Sequence, residues 1–281
     1  MRFLRCGSKG KEKPAVLDKN NKIRDLSSYI SDLNPENINF KILEKLKKTD
    51  LTKLPEIPKS TRVGSCINKP GKFIGIGLNY SDHAIEYGAK IPTEPIFFMK
   101  ATSCICGPND NIIMPKSSKK LDWEVEIAFV IGKKAKYIKE SESPNYIFGY
   151  CLVNDVTERE WQLEKLGQWV KGKSGDTFGP IGPYLVTKDE IANVQNLKMN
   201  LDINGKNMQK GNTGKMIFNI NYALSYISNF MSLEPGDIVT TGTPFGVGMG
   251  MKPPTYLKPG DKIKLSIDNL GEQFHEVKQE V

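Results

Sequence analysis

The chain has 281 residues, of which 38% are hydrophobic, 26% charged and 9% aromatic, a mix that supports a sizeable core and excludes a disordered chain, a collagen or a disulfide scaffold. The net charge is +8, from 40 Lys and Arg against 32 Asp and Glu. Those lysines are interleaved with acids and have no aromatic ladder beside them, so a solvated surface accounts for them better than a nucleic-acid or anionic-polymer partner. No apolar run approaches the ~18 residues needed to cross a bilayer, and residues 1–14 lack an apolar signal core. The expected compartment is the cytoplasm, with no membrane partner. The five cysteines show no metal-ligand spacing and are expected to be reduced and mostly buried.

In chain order, residues 1–60 read as a small N-terminal α/β unit. Residues 15–17 and 22–24 flank a turn, which predicts a hairpin, and Ile38, Ile42, Leu43 and Leu46 recur at helical spacing. Residues 52–59 contain Pro55 and Pro58 without periodicity and read as a linker. The main domain is expected over 70–281. Short strands dominate there, at 73–78, 121–131 and 146–153, the last so continuously apolar that it predicts a strand buried on both faces. Residues 197–203 alternate up to the turn pair Asn204-Gly205. One amphipathic helix is marked by Ile217, Ile220, Leu224, Ile227 and Met231. The fold expected is α+β, mixed and mostly antiparallel.

Three patterns carry chemistry. In Leu121-Asp122-Trp123-Glu124-Val125-Glu126-Ile127 the acids occupy one face of a strand. Either that face is hydrated, or it enters a core and a hard cation relieves the repulsion between Glu124 and Glu126. Asp155 comes directly after the apolar strand 146–153, as a further ligand or as the cap of the next helix. Three oxygen ligands without Cys or His point to Mg²⁺ or Mn²⁺. His83 and Glu86 stand three apart in a short predicted helix, either as a carboxylate-supported general base or as a surface pair. The glycine-rich stretch 240–250 has neither P-loop nor dinucleotide spacing, and suits close backbone approach to a small ligand. Arg159 is the only arginine after Arg62, in a chain that otherwise uses lysine for positive charge. The segment 158–174, polar and bearing Gly167 and Gly172, is expected to be a lid.

These pieces occur in an order that resembles the fumarylacetoacetate hydrolase superfamily. The blocks are Gly77-Leu78-Asn79-Tyr80-x-x-His83-x-x-Glu86; Asp122-Trp123-Glu124-Val125-Glu126; Val153-Asn154-Asp155-Val156-Thr157-x-Arg159-x-x-Gln162; Lys171-Gly172-Lys173-x-x-Asp176-Thr177-Phe178; and Thr241-Gly242-Thr243-Pro244-x-Gly246-Val247-Gly248. The resemblance implies a β-roll-like catalytic domain, usually homodimeric, with a divalent metal on Glu124, Glu126 and Asp155. It implies His83 with Glu86 as the water-activating pair, Lys173 as a catalytic cation, and Arg159, Gln162 and Thr243 as substrate-binding groups. Ala101 stands where the family commonly has proline, and the extra acidic ligand of fumarylacetoacetate hydrolase itself has no counterpart. The smaller members are the better match, which implies a small keto acid as substrate. The activity expected is cleavage of the C–C bond of a 2,4-diketo acid, an acylpyruvate or diketo-deoxy sugar acid, to pyruvate and a carboxylic acid. Oxaloacetate decarboxylation, keto–enol isomerisation and ureidoglycolate lyase-type activity are the alternatives, with a non-catalytic basic binding protein behind them.

Overall fold

The computed structural model describes residues 1–86 and 90–281, the side chains of 83–85 excepted. Its strands are β1 (Arg2–Cys6), β2 (Lys13–Leu17), β3 (Ile23–Asp25), β4 (Glu56–Ile57), β5 (Phe73–Gly77), β6 (Ile96–Lys100), β7 (Ile105–Cys106), β8 (Ile112–Met114), β9 (Leu121–Asp122) and β10 (Val125–Ile131). They continue with β11 (Ile147–Asn154), β12 (Thr157–Glu158), β13 (Gly179–Pro180), β14 (Leu185–Thr187), β15 (Lys198–Ile203), β16 (Lys206–Asn212), β17 (Ile238–Thr240), β18 (Lys262–Ile267) and β19 (Gly271–Gln279). The helices are α1 (Phe40–Lys47), α2 (Ser81–Glu86), α3 (Val170–Lys173) and α4 (Ile220–Phe230).

A ten-stranded sheet runs β4-β3-β2-β1-β14-β11-β10-β17-β5-β6, and a five-stranded sheet runs β16-β15-β18-β19-β8. Most pairings are antiparallel, with β17–β5 and β19–β8 parallel, so the α+β, mainly antiparallel expectation holds. The hairpin forms as expected, Leu17 opposite Ile23. The helix spacing at 217–231 yields α4, whose Asn219 side chain caps the Tyr222 amide and whose Ile220, Leu224 and Ile227 are buried.

The N-terminal unit joins the main sheet directly. Strand β1 pairs with β14, and Phe3, Val16 and Leu26 share one apolar cluster with Phe129, Leu152 and Ile238. The stretch read as a linker holds a 3-10 turn at Leu51–Lys53 and the edge strand β4, paired to β3. Pro55 and Pro58 flank β4, where proline is tolerated because an edge strand needs no donors on its outer side. All five cysteines are free and buried. Among the described residues no helix is long and apolar enough to cross a membrane.

Candidate active site

Strands β9 and β10 are separated by Trp123 and Glu124, and every residue from 121 to 131 is buried. The acidic face therefore belongs to the core. Trp123 fixes the break by donating its indole N–H to the Gly246 carbonyl at 3.0 Å. Antiparallel pairing of β10 with β11 sets Val125 opposite Asn154, and the Asp155 amide just beyond it donates to the Glu124 carbonyl at 2.9 Å. This register gathers Glu124, Glu126 and Asp155, one oxygen from each lying within 4.8 Å of the others. Asp155 caps no helix: the chain runs on into β12 and a π-helical turn at Glu160–Glu164.

Three buried cations answer these acids. Lys173, at the end of α3, donates to Glu124 Oε2 and to Asp155 Oδ2, each at 2.6 Å. Lys100, at the end of β6, donates to Asp155 Oδ1 and to the Lys173 carbonyl. Arg159 spreads its fork over three partners: Nε to Asp122 at 2.8 Å, Nη1 to Gln162 at 3.1 Å, and Nη2 to Glu124 at 2.7 Å. Charges so deep persist only when paired and hydrogen-bonded. Asp122, Glu124, Glu126 and Asp155 against Lys100, Arg159 and Lys173 leave one negative charge in excess. Burial first, then the neighbouring charges of Asp155 and Glu124, push the Glu126 carboxyl well above the usual carboxylate range. Burial opposes the Lys173 ammonium, but Asp155 and Glu124 outweigh it and hold its pKa above the ordinary lysine value. An all-oxygen, net-anionic donor set of this kind fits a hard divalent cation.

The glycine-rich stretch turns its amides onto the protein's own carboxylates. Gly242 N–H donates to Glu126 at 2.9 Å, Gly246 N–H to Glu86 at 3.0 Å, and Gly248 and Met249 N–H to Asp122 at 2.7 and 3.1 Å. Gly246, at φ +96°, could not be replaced without strain: an added Cβ would lie 2.0 Å from the Met208 carbonyl oxygen. Glu86 is thereby held at the end of α2. His83 lies in the same helix, but its side chain falls outside the described residues. Thr243 lines the cavity, yet its hydroxyl proton goes to the Val125 carbonyl at 2.9 Å while Gln209 donates to it at 2.8 Å. Toward a ligand it offers a second lone pair only.

A cavity opens beside the triad; Glu124, Glu126, Asp155, Arg159, Gln162 and Lys173 make up its charged and polar lining, and Ile76, Leu78, Phe98, Leu163 and Trp169 its apolar lining. The segment expected to be a lid is anchored at both ends: Glu158, Arg159, Gln162, Gly172 and Lys173 are buried, while 163–168 is exposed. An added Cβ at Gly172 would lie 2.4 Å from the Glu158 carbonyl oxygen, so α3 packs directly on the chain entering the segment.

Sequence reasoning missed Lys100, Asp122 and Gln209 as site residues. Asp122 was legible only as a third member of the acidic face; its four partners, the Trp123, Gly248 and Met249 amides and Arg159, show that it anchors the glycine stretch and the arginine. Lys100 ends a strand with no local pattern to distinguish it. Gln209, on β16, bridges the Val125 amide and the Thr243 hydroxyl. Ala101 also gains an explanation: its N–H donates to Ser174 Oγ at 2.8 Å, a bond proline could not make.

The α+β fold thus sets a buried carboxylate triad that could hold a metal ion beside a small cavity. The chain belongs to the fumarylacetoacetate hydrolase family: the family described as fumarylacetoacetate (FAA) hydrolase C-terminal matches residues 72–278. A Burkholderia ambifaria relative, whose name suggests a hydrolase and gives no substrate, is 52% identical over 275 residues, 98% of each chain. Among solved structures covering 100% of both chains, fumarylacetoacetate hydrolase from psychrophilic Exiguobacterium antarcticum aligns with a TM-score of 0.89 at 33% identity. Maleylpyruvate hydrolase from Sphingobium, in complex with manganese(II) and pyruvate, aligns at 0.83 and 27%. 5-Carboxymethyl-2-hydroxymuconate delta-isomerase from Mycobacterium smegmatis aligns at 0.79 and 27%. The chain is thus similar to enzymes of hydrolase and isomerase type.

Proposed function

We propose that this protein is a divalent-metal-dependent hydrolase that cleaves the C3–C4 bond of a 2,4-diketo acid, giving pyruvate and a carboxylic acid. The observation that carries the proposal is the buried triad of Glu124, Glu126 and Asp155, bordering a cavity that also receives Lys173 and Arg159. Mg²⁺ or Mn²⁺ held by these three carboxylates would supply Lewis acidity toward the substrate's 2-oxo group and carboxylate. Arg159 and Gln162 orient the substrate carboxylate; Thr243 accepts a hydrogen bond at the cavity wall. His83, its orientation set by Glu86, takes a proton from the water that attacks the C4 carbonyl. Two protons of the Lys173 ammonium are bound by Glu124 and Asp155; the third is available to the oxygen on which charge gathers as the bond to C4 breaks. Protonation at C3 completes pyruvate.

The test is a panel of 2,4-diketo acids and oxaloacetate with Mg²⁺ or Mn²⁺, monitoring pyruvate and carbon dioxide. We expect metal-dependent pyruvate release from a diketo acid, reduced ~10²–10⁴-fold by His83→Ala while metal binding persists. Carbon dioxide from oxaloacetate, without cleavage of any diketo acid, would replace this reading with a decarboxylase. The homodimer implied by the family resemblance and the cytoplasmic compartment expected from the sequence are part of the proposal, and sedimentation velocity tests the dimer.

A further inference from the structure

The apolar lining of the cavity is built with unusual care. Strand β5 carries Gly75 and Gly77, two residues apart and hence on one face, and is paired on both sides, with β17 and β6, where glycine ordinarily weakens a strand. Both vacated positions are filled by aromatic rings. An added Cβ at Gly75 would lie 2.4 Å from Phe98 Cζ, and one at Gly77 would lie 2.3 Å from Trp169 Cζ3. Phe98 sits opposite Gly75 in the β5–β6 ladder, whereas Trp169 arrives from the turn before α3. The two rings meet edge to face, centroids 5.4 Å apart at 61°, and both line the cavity. Lys173 Nζ lies 5.2 Å from the Phe98 ring centroid, so Phe98 stands at the junction between the charged and the apolar lining.

We infer that Phe98 and Trp169, seated on Gly75 and Gly77, form a specificity wall that selects 2-oxo acids with an apolar straight-chain or aryl arm over dicarboxylic and polyhydroxylated ones. This deepens the proposed function and rests on its placement of the substrate carboxylate at the charged lining. Among the described residues, the only cations lining the cavity are Arg159 and Lys173, both ion-paired with acids of that lining. A second carboxylate carried to the two rings would lose its hydration without gaining a counter-charge from any described residue, and a chain of hydroxyls would lose hydrogen bonds to water without replacement from the rings. An alkyl or aryl arm loses nothing there and gains contact with two rings whose positions are fixed by the strand beneath.

The experiment reads binding, independently of turnover. Calorimetry with Mn²⁺ present compares phenylpyruvate and 2-oxohexanoate with 2-oxoglutarate and pyruvate. Phenylpyruvate is expected to bind at least ~10-fold more tightly than 2-oxoglutarate, and Trp169→Ala to lower the phenylpyruvate-to-pyruvate affinity ratio by ~10-fold. Gly77→Ala, whose new Cβ displaces the indole, should lower the same ratio; if that variant fails to fold, Trp169→Ala alone decides. Equal or tighter binding of 2-oxoglutarate, an unchanged ratio in Trp169→Ala, or no binding of any of the four acids would overturn the inference. Cleavage of the diketo acid panel separates the two claims. No cleavage with the affinity pattern intact removes the hydrolase and leaves the wall, whereas cleavage that favours dicarboxylic substrates does the reverse.

Discussion

Strands β15, β18 and β19 of the five-stranded sheet alternate between buried and more exposed positions, whereas every residue of β10 and β11 in the ten-stranded sheet is buried. On the first kind of strand a charge such as Lys264 points to water, where its pairing with Glu272 at 3.3 Å contributes little. On the second kind each charge is stripped of water and must find partners inside the protein, as Glu126 does in Thr240 and the Gly242 amide. Similar residue types thus carry quite different energies.

The largest contrast is expected from the triad. Glu126→Ala or Glu124→Ala should abolish turnover and weaken Mg²⁺ or Mn²⁺ binding by at least ~100-fold, since two carboxylates hold too little charge to strip a hard cation of its water. Calorimetric metal titration checks this, and wild-type affinity in either variant would remove the ligand assignment. Next comes a matched pair of lysines. Lys100→Met should cost about 3–5 kcal/mol, because it takes one of the two buried cations from Asp155 and leaves the Lys173 carbonyl without its donor, whereas Lys264→Met should stay within about 0.5 kcal/mol. Urea unfolding of the two variants measures the difference, and equal losses would erase the distinction between the sheets.

The alternating sheet has a buried titratable group of its own. His275, on β19, directs Nδ1 to the Asp110 carbonyl at 2.8 Å and Nε2 to Gln273 Oε1 at 3.0 Å. Two acceptors favour the charged ring, but burial is the larger effect and pushes its pKa down to about 4. In the unfolded chain the imidazole returns to its ordinary value of about 6.5 and binds the proton that the folded one refuses. Its stabilisation is therefore complete above pH 6.5, falls as the pH drops toward 4, and amounts to about 3 kcal/mol in all. Urea midpoints across that range should decline less in His275→Gln; a ring that titrates by NMR at 6.5 or above would show that the acceptors win. The smallest effect is expected at Arg159→Lys. One ammonium cannot serve Asp122, Gln162 and Glu124 together, so kcat/KM should fall at least ~10-fold, about 1.4 kcal/mol, with the metal still bound. Unchanged kinetics would take Arg159 out of the site.

The sequence alone determined whatever repeats locally. The hairpin at 15–24 and the stripe of α4 arise from periods of two and 3.6 residues, and the buried strand expected over 146–153 from one continuous apolar run. The ordered motif blocks added the family and the candidate roles. Tertiary structure decided the features that depend on residues far apart in the chain. Lys100 meets Asp155 across 55 positions, Gln209 meets Val125 across 84, and Gly248 meets Asp122 across 126. No local period reports such pairings, because they exist only once the β10–β11 register and the glycine stretch have folded together. The glycines show the same division. Their spacing announced close approach by something, but only the packed sheet revealed that the amides of 242–249 serve the protein's own carboxylates and that Gly75 and Gly77 make room for two aromatic rings. A missing side chain constrains the backbone locally, whereas the group that fills the space it leaves is supplied by another part of the chain.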